Sequence, residues 1–149
     1  MQASILIVSK NRKEELLQTL KIVESLIDKT EIEVIVFLDG CIDGSECLQN
    51  ELNWVKWHIS LKSIGASAAR HQIYPLAKSE ILIGLDDDAH PLNQDFIRAV
   101  KELFDENSNV GVLAFEEIRG VFTSDEEALS EGDSRKKEYL GSVICLKIT

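Results

Sequence analysis

The sequence predicts an α/β fold, a mostly parallel sheet flanked by helices, in a single domain. Short β-branched apolar runs alternate along the chain with segments of helical period. Strands joined through helices imply right-handed crossovers, and so parallel neighbours. The length of 149 residues is that of one domain, for which about 100–200 residues is usual.

Each element has a local signature. Ser4 to Val8 is a β-branched apolar run that gives way to the polar Ser9-Lys10-Asn11-Arg12, a strand followed by a loop. From Lys13 to Leu26, Leu16, Leu17, Leu20, Val23 and Leu26 recur on one helical face, with Glu14 and Glu15 early, where the helix dipole favours acids. Ile32 to Leu38 reads as a strand covered on both faces, ending at a tight Asp39-Gly40 turn. A short helix fits Gly44 through Leu52. Val55, Trp57, Ile59 and Leu61 then alternate with Lys56, His58 and Ser60, which predicts a third strand with one wetter face.

Ile64 to Arg70 opens a small-residue helix that Pro75 kinks or ends. Ile81 to Leu85 is the fourth strand and runs into Asp86-Asp87-Asp88-Ala89-His90-Pro91. Asn93 is placed to cap a helix with Phe96, Ile97, Val100, Leu103 and Phe104 on its apolar face. Val110 to Phe115 supplies a fifth strand. The acidic, weakly periodic segment from Glu116 to Lys137 reads as a surface excursion before a last strand near Ser142 to Ile148. There is no internal repeat or low-complexity tract.

Composition narrows the function. Hydrophobic residues make up 44% and charged residues 28%, the balance of a globular chain. The net charge of −10 would repel a nucleic-acid backbone, and the longest basic run, Arg135-Lys136-Lys137, is flanked by Asp133 and Glu138, so no nucleic-acid partner is expected. Cys41, Cys47 and Cys145 form neither a disulfide framework nor a zinc spacing, which fits a reducing, cytoplasmic setting. No run approaches the ~20 apolar residues of a membrane span, which leaves peripheral association with a membrane open.

Ligands of open α/β sheets bind beyond the carboxyl ends of the strands. Three polar clusters fall at such ends: Ser9, Asn11 and Arg12; Asp39, Gly40 and Asp43; and Asp86 to Asp88. Three consecutive carboxylates repel one another unless a cation or a paired base neutralises them. Hard carboxylate oxygens suit Mg²⁺ or Mn²⁺, which take their remaining ligands from water and substrate phosphates. An acidic turn that merely caps the next helix is the other reading. His90 fits a turn beside Pro91, Trp57 the core and Trp54 a helix end. Cys41 reads as a small turn residue, since no histidine partner is visible to activate it.

Read together, the clusters resemble family 2 glycosyltransferases of the Rossmann-like GT-A fold. The Asn-Arg loop after the first strand, the Asp39-Gly40 turn, Gly65-Ala66-Ser67-Ala68-Ala69-Arg70-His71 and the DxD-like Asp86-Asp87-Asp88 occur in family order. The resemblance implies a donor domain over residues 1–149, with the acceptor-binding half missing or minimal. It implies transfer of a sugar, with inversion, from a nucleoside-diphosphate donor, UDP-type favoured, to a hydroxyl of a saccharide or lipid-linked acceptor.

Carried over residue by residue, it assigns Asp86 and Asp88 to Mn²⁺ or Mg²⁺, with Asp88 the direct ligand and Asp86 and Asp87 also facing substrate. Asp39 is assigned to the base, with Ser9, Asn11, Arg12 and Gly40 around it, and Arg70 to a bridge between base and phosphate sides. Leu38, Cys41, Val8, Lys10 and His71 depart from the family's usual residues, and no residue sits in a recognisable catalytic-base motif. A module that holds the nucleotide-sugar without turning it over is the alternative. A phosphotransfer receiver fits poorly, because its acids would follow the first strand, where Ser9-Lys10-Asn11 stands.

Overall fold

Alternating apolar runs become six strands: Ala3–Ser9 (β1), Ile32–Asp39 (β2), Lys56–Ser60 (β3), Ile81–Leu85 (β4), Val112–Phe115 (β5) and Val143–Lys147 (β6). The helices between them are Lys13–Leu26 (α1), Leu48–Glu51 (α2), Ala66–Ile73 (α3), Phe96–Glu106 (α4) and Asp125–Gly132 (α5). These come from a computed structural model that describes residues 1–115, 118, 124–132 and 143–147. One sheet has the order β3-β2-β1-β4-β6-β5. Its first four strands are parallel, and β6 runs antiparallel to both β4 and β5.

The sheet is covered on both faces, and strand alternation decides which side chain goes where. Ile5, Ile7, Val34, Val36, Leu38, Ile83 and Leu85 pack with Leu16, Leu20 and Val23 of α1 and with Val100 and Phe104 of α4. Leu6, Ile35, Phe37 and Leu82 pack with Ala69 and Ile73 of α3. Fully burying each such aliphatic or aromatic side chain stabilises by about 1.5–3 kcal/mol. The central strands β1, β2 and β4 are therefore fixed, and the loops at their carboxyl ends start from rigid points. The pairings Ser9↔Leu38, Ile7↔Leu85 and Asp39↔Ser60 bring those ends level along one rim.

Four sequence expectations need correction. On β3 the apolar alternation does not mark a buried face: Val55 is buried and Trp57 partly so, but Ile59 and Leu61 are 43% and 96% exposed. The strand lies at the sheet edge, and nothing among the described residues covers its outer end. Leu103 is likewise exposed at the margin of the α4 stripe. Asn93 does not cap α4 with its side chain; its Oδ1 accepts the Asp95 N–H at 2.8 Å, forming a turn one step earlier. The segment 116–137 is not wholly irregular, since α5 lies within it and buries Ala128. Glu116, Glu117 and most of that segment lie outside the described residues, as does Ile148. Pro75 sits in a 3₁₀ turn, Tyr74–Leu76, directly after α3, as a helix-ending proline should. Among the described residues no helix is long and apolar enough to cross a membrane.

Candidate functional site

The loop after β1 is shaped by Asn11, whose φ of 54° is left-handed, a conformation Asn tolerates better than most residues. Its Oδ1 accepts the Ile42 N–H at 2.8 Å. The Cys41 thiol lies 3.6 Å from the Ser9 carbonyl, and its sulfur is 3.4 Å from the Asn11 N–H. These contacts latch the loop after β1 to the turn after β2. Asp43 strengthens the latch, because its Oδ2 accepts the Lys13 N–H at 2.9 Å and so caps α1 from outside the helix. Burial pushes the Asp43 carboxyl up, but hydrogen bonds from Ser45 and Lys13 outweigh it and hold it below the usual range.

Asp39 holds the next loop in the same way. Its Oδ1 accepts the Ile64 N–H at 2.6 Å, and its Oδ2 accepts the Ser63 hydroxyl at 2.7 Å and the Gly65 N–H at 3.0 Å. Burial would raise this carboxyl; the three donors and the charge of Lys10 overcome it, and Asp39 titrates below its ordinary value. Gly40, with φ of 67°, allows the same loop to lie close: a Cβ there would collide with the backbone of Lys62 and Ser63.

At the end of β4 the three aspartates take three different environments. Asp87 is buried at 7% exposure; its Oδ2 accepts the Ser9 hydroxyl at 2.7 Å, and its carbonyl accepts the Thr19 hydroxyl at 2.9 Å. Asp86 and Asp88 are each about half exposed and pair with arginines: Arg70 Nη2 to Asp86 Oδ1 at 3.0 Å, and Arg12 Nη2 to Asp88 Oδ2 at 2.8 Å. Arg12 Nη1 also lies 3.5 Å from Asp87 Oδ1. Burial drives the Asp87 carboxyl above its ordinary value; Asp88 and Asp86 add to this, while Ser9 and Arg12 oppose it.

Three adjacent acids do not by themselves demand a metal here, because Arg12 and Arg70 already pair with Asp88 and Asp86. The donor set still fits Mg²⁺ or Mn²⁺. Hydrogen bonds among the described residues use Oδ2 of Asp88 and Oδ1 of Asp86 and leave the other oxygen of each. Among the described residues no three acidic, histidine or cysteine side chains converge on one point.

A cavity of about 810 Å³ opens along this rim. Of the residues predicted for the site, Ser9, Arg12, Asp39, Arg70, Asp86, Asp87 and Asp88 line it. Asn11 and Gly40 are not among its lining residues and act behind it, through the loops they shape. Val8, Lys10, Ser63, Gly65, Ala66 and Ile118 also line it and were not assigned to the site from sequence. Lys10 Nζ reaches Ser63 Oγ at 3.1 Å. The signal for Lys10 was its place in a strand-end loop; Ser63 and Ile118 carried none. His90 is half-buried and not among the lining residues.

The cavity, lined by four aspartates and two arginines, sits at the carboxyl ends of the parallel strands, the place where ligands of open α/β sheets bind. The model of glycosyl transferase family 2 matches residues 4–143, and the chain belongs to that family. No curated protein matches the sequence. Among solved structures, the mannosyltransferase PcManGT from Pyrobaculum calidifontis, in complex with GDP-Man and Mn²⁺, is 17% identical with a TM-score of 0.71, over 98% of this chain and 44% of that one. S. aureus TarS 1-349 is 21% identical with a TM-score of 0.69, over 83% of this chain and 39% of that one. Its complex with UDP-GlcNAc gives 22% and 0.67, over 83% and 38%. The fold is that of GT-A glycosyltransferases, and the chain spans less than half the length of these structures.

Proposed function

We infer that residues 1–149 form the donor-binding domain of a glycosyltransferase that moves a sugar from a nucleoside-diphosphate sugar to an acceptor hydroxyl. The observation that carries this reading is the gathering of Ser9, Asp39, Arg70 and Asp86 to Asp88 around one cavity, in a chain of this family. Its structural neighbours in complex with GDP-Man and Mn²⁺ and with UDP-GlcNAc support it.

In this reading Asp88, with Asp86, holds Mn²⁺ or Mg²⁺ against the diphosphate. The cation, when bound, supplies Lewis-acid stabilisation of the leaving group. Asp39 and Ser9 face the base, with Asn11 and Gly40 setting the loops that frame it. Arg70 and Arg12 offer planar forks suited to phosphate oxygens. A hydroxyl of a saccharide or lipid-linked acceptor attacks the anomeric carbon with inversion as the bond to the diphosphate oxygen breaks, the nucleoside diphosphate departs, and the hydroxyl proton passes to a base not among the residues assigned here. UDP-type donors are favoured. The free thiols of Cys41 and Cys47 accord with a cytoplasmic setting.

Calorimetry with UDP, GDP, ADP and CDP in the presence of Mn²⁺ tests the binding half. UDP is expected to bind tightest, and a chain that binds none of the four is not a donor domain. Release of free sugar from a bound nucleotide-sugar tests the catalytic half. Binding without release or transfer supports the second reading, a module that holds the donor and does not turn it over.

A further inference from the structure

We propose that Arg12 competes with a divalent cation for Asp88 and thereby couples entry of the cation to entry of the diphosphate. The inference rests on the reading of the cavity as a cation–diphosphate site. Arg12 Nη2 donates to Asp88 Oδ2 at 2.8 Å, and the Asp88 side chain is half exposed, so a cation reaching its other oxygen shares the carboxylate's charge with Arg12.

The pair is built to open. A partly exposed ion pair is held weakly, and Arg12 has a second seat: its Nη1 is 3.5 Å from Asp87 Oδ1 and its Nε 3.9 Å from Glu15 Oε1. Asp87 cannot follow Asp88, because Ser9 anchors its carboxylate and Thr19 its carbonyl. The guanidinium thus pivots about a fixed acid while its outer hydrogen bond is exchanged.

A cation alone on the other oxygen of Asp88 draws off the charge that holds Arg12, weakens that pair and leaves Arg12 with fewer partners. A cation arriving with a diphosphate gives the released fork a phosphate to bind, which Arg matches bidentately. The two ligands therefore bind cooperatively, and Arg12 is the positioning residue that links them. Among the described residues Arg70 pairs with Asp86 and with no second acid, so it does not carry the same coupling.

The test measures Mn²⁺ binding by electron paramagnetic resonance, with and without UDP, in the wild-type chain and in Arg12→Gln and Arg12→Lys. Arg12→Gln is expected to bind Mn²⁺ about fivefold or more tightly without UDP, and the enhancement of Mn²⁺ affinity by UDP should shrink by a similar factor. Arg12→Lys, which keeps the charge without the fork, should lie between the two. An unchanged Mn²⁺ affinity in Arg12→Gln, with UDP enhancement intact, overturns the coupling and leaves the site reading standing. UDP binding by the wild-type chain that is equal with Mn²⁺ and with chelator overturns both.

Discussion

At Asp39 the carboxylate already accepts three protein donors, so its removal disturbs the fold before it disturbs any ligand. Asp39→Ala takes the acceptor from the Ile64 and Gly65 N–H groups of an exposed loop, and each lost hydrogen bond to this buried carboxylate costs about 1.5–3 kcal/mol. Thermal melts without nucleotide should show a loss of about 2 kcal/mol or more; an unchanged melt would mean that solvent replaces the carboxylate freely. Asp87 carries the opposite sign. Its folded carboxyl titrates above its ordinary value, so the stability it contributes is fully present below the unfolded value, about 3.9, and is lost as pH rises through the folded value. Asp87→Asn keeps an acceptor for Ser9 and removes that loss. The variant should gain stability over wild type as pH rises from about 4 to neutrality. A difference that stays constant across that range sinks the assignment.

Among the elements, the sheet is pinned at the edge opposite the cavity. Glu33 on β2 is 4% exposed; its carboxylate accepts Ser4 Oγ from β1, Lys56 Nζ from β3 and the Lys78 N–H leading into β4. Burial pushes this carboxyl up, but Lys56, Ser4 and Lys78 outweigh it, so its stabilising effect is present above the unfolded value, about 4.3, and lost as pH falls through the lower folded value. Glu33→Ala leaves the Ser4 and Lys78 donors unpaired and returns the 40% exposed Lys56 side chain to solvent, and should cost about 2 kcal/mol, with Glu33→Gln losing less. Equal melts for wild type and Glu33→Ala at neutral pH would show the clasp to be dispensable.

Little of that clasp was visible in sequence, although the elements it joins were. The bounds of α1 and β4 follow from periodicity and β-branched runs, because the pattern that makes a helix or strand amphipathic is local. Alternation does not reveal that Ile59 and Leu61 are exposed, because burial at a sheet edge depends on what lies beside the strand. The acids of the cavity could be found because strand ends collect ligands. Their arginine partners could not be paired, since Arg12 and Asp88 are 76 residues apart and no periodicity links them.

At the scale of the whole molecule, charge decides what the cavity accepts. The chain carries −10, and the cavity is lined by four carboxylates, Asp39, Asp86, Asp87 and Asp88, against three cations, Lys10, Arg12 and Arg70. A nucleoside diphosphate is itself an anion, so it enters against both the local excess and the field of the protein. A divalent cation at Asp88 reverses the local balance. Nucleoside-diphosphate affinity should therefore drop tenfold or more in chelator, about 1.4 kcal/mol. Asp88→Asn should reproduce that drop with Mn²⁺ present, while its stability without metal holds steady or falls slightly, because Arg12 loses its 2.8 Å partner as repulsion on Asp87 is relieved. Added salt distinguishes a local cation from general screening. If monovalent salt at about 0.15 M, where the screening length is near 8 Å, restored full affinity in chelator, the barrier would be the protein's diffuse field and Asp88 would hold no cation. Affinity that returns only with Mn²⁺ or Mg²⁺, and only while Asp88 keeps its charge, places the barrier at the carboxylates themselves.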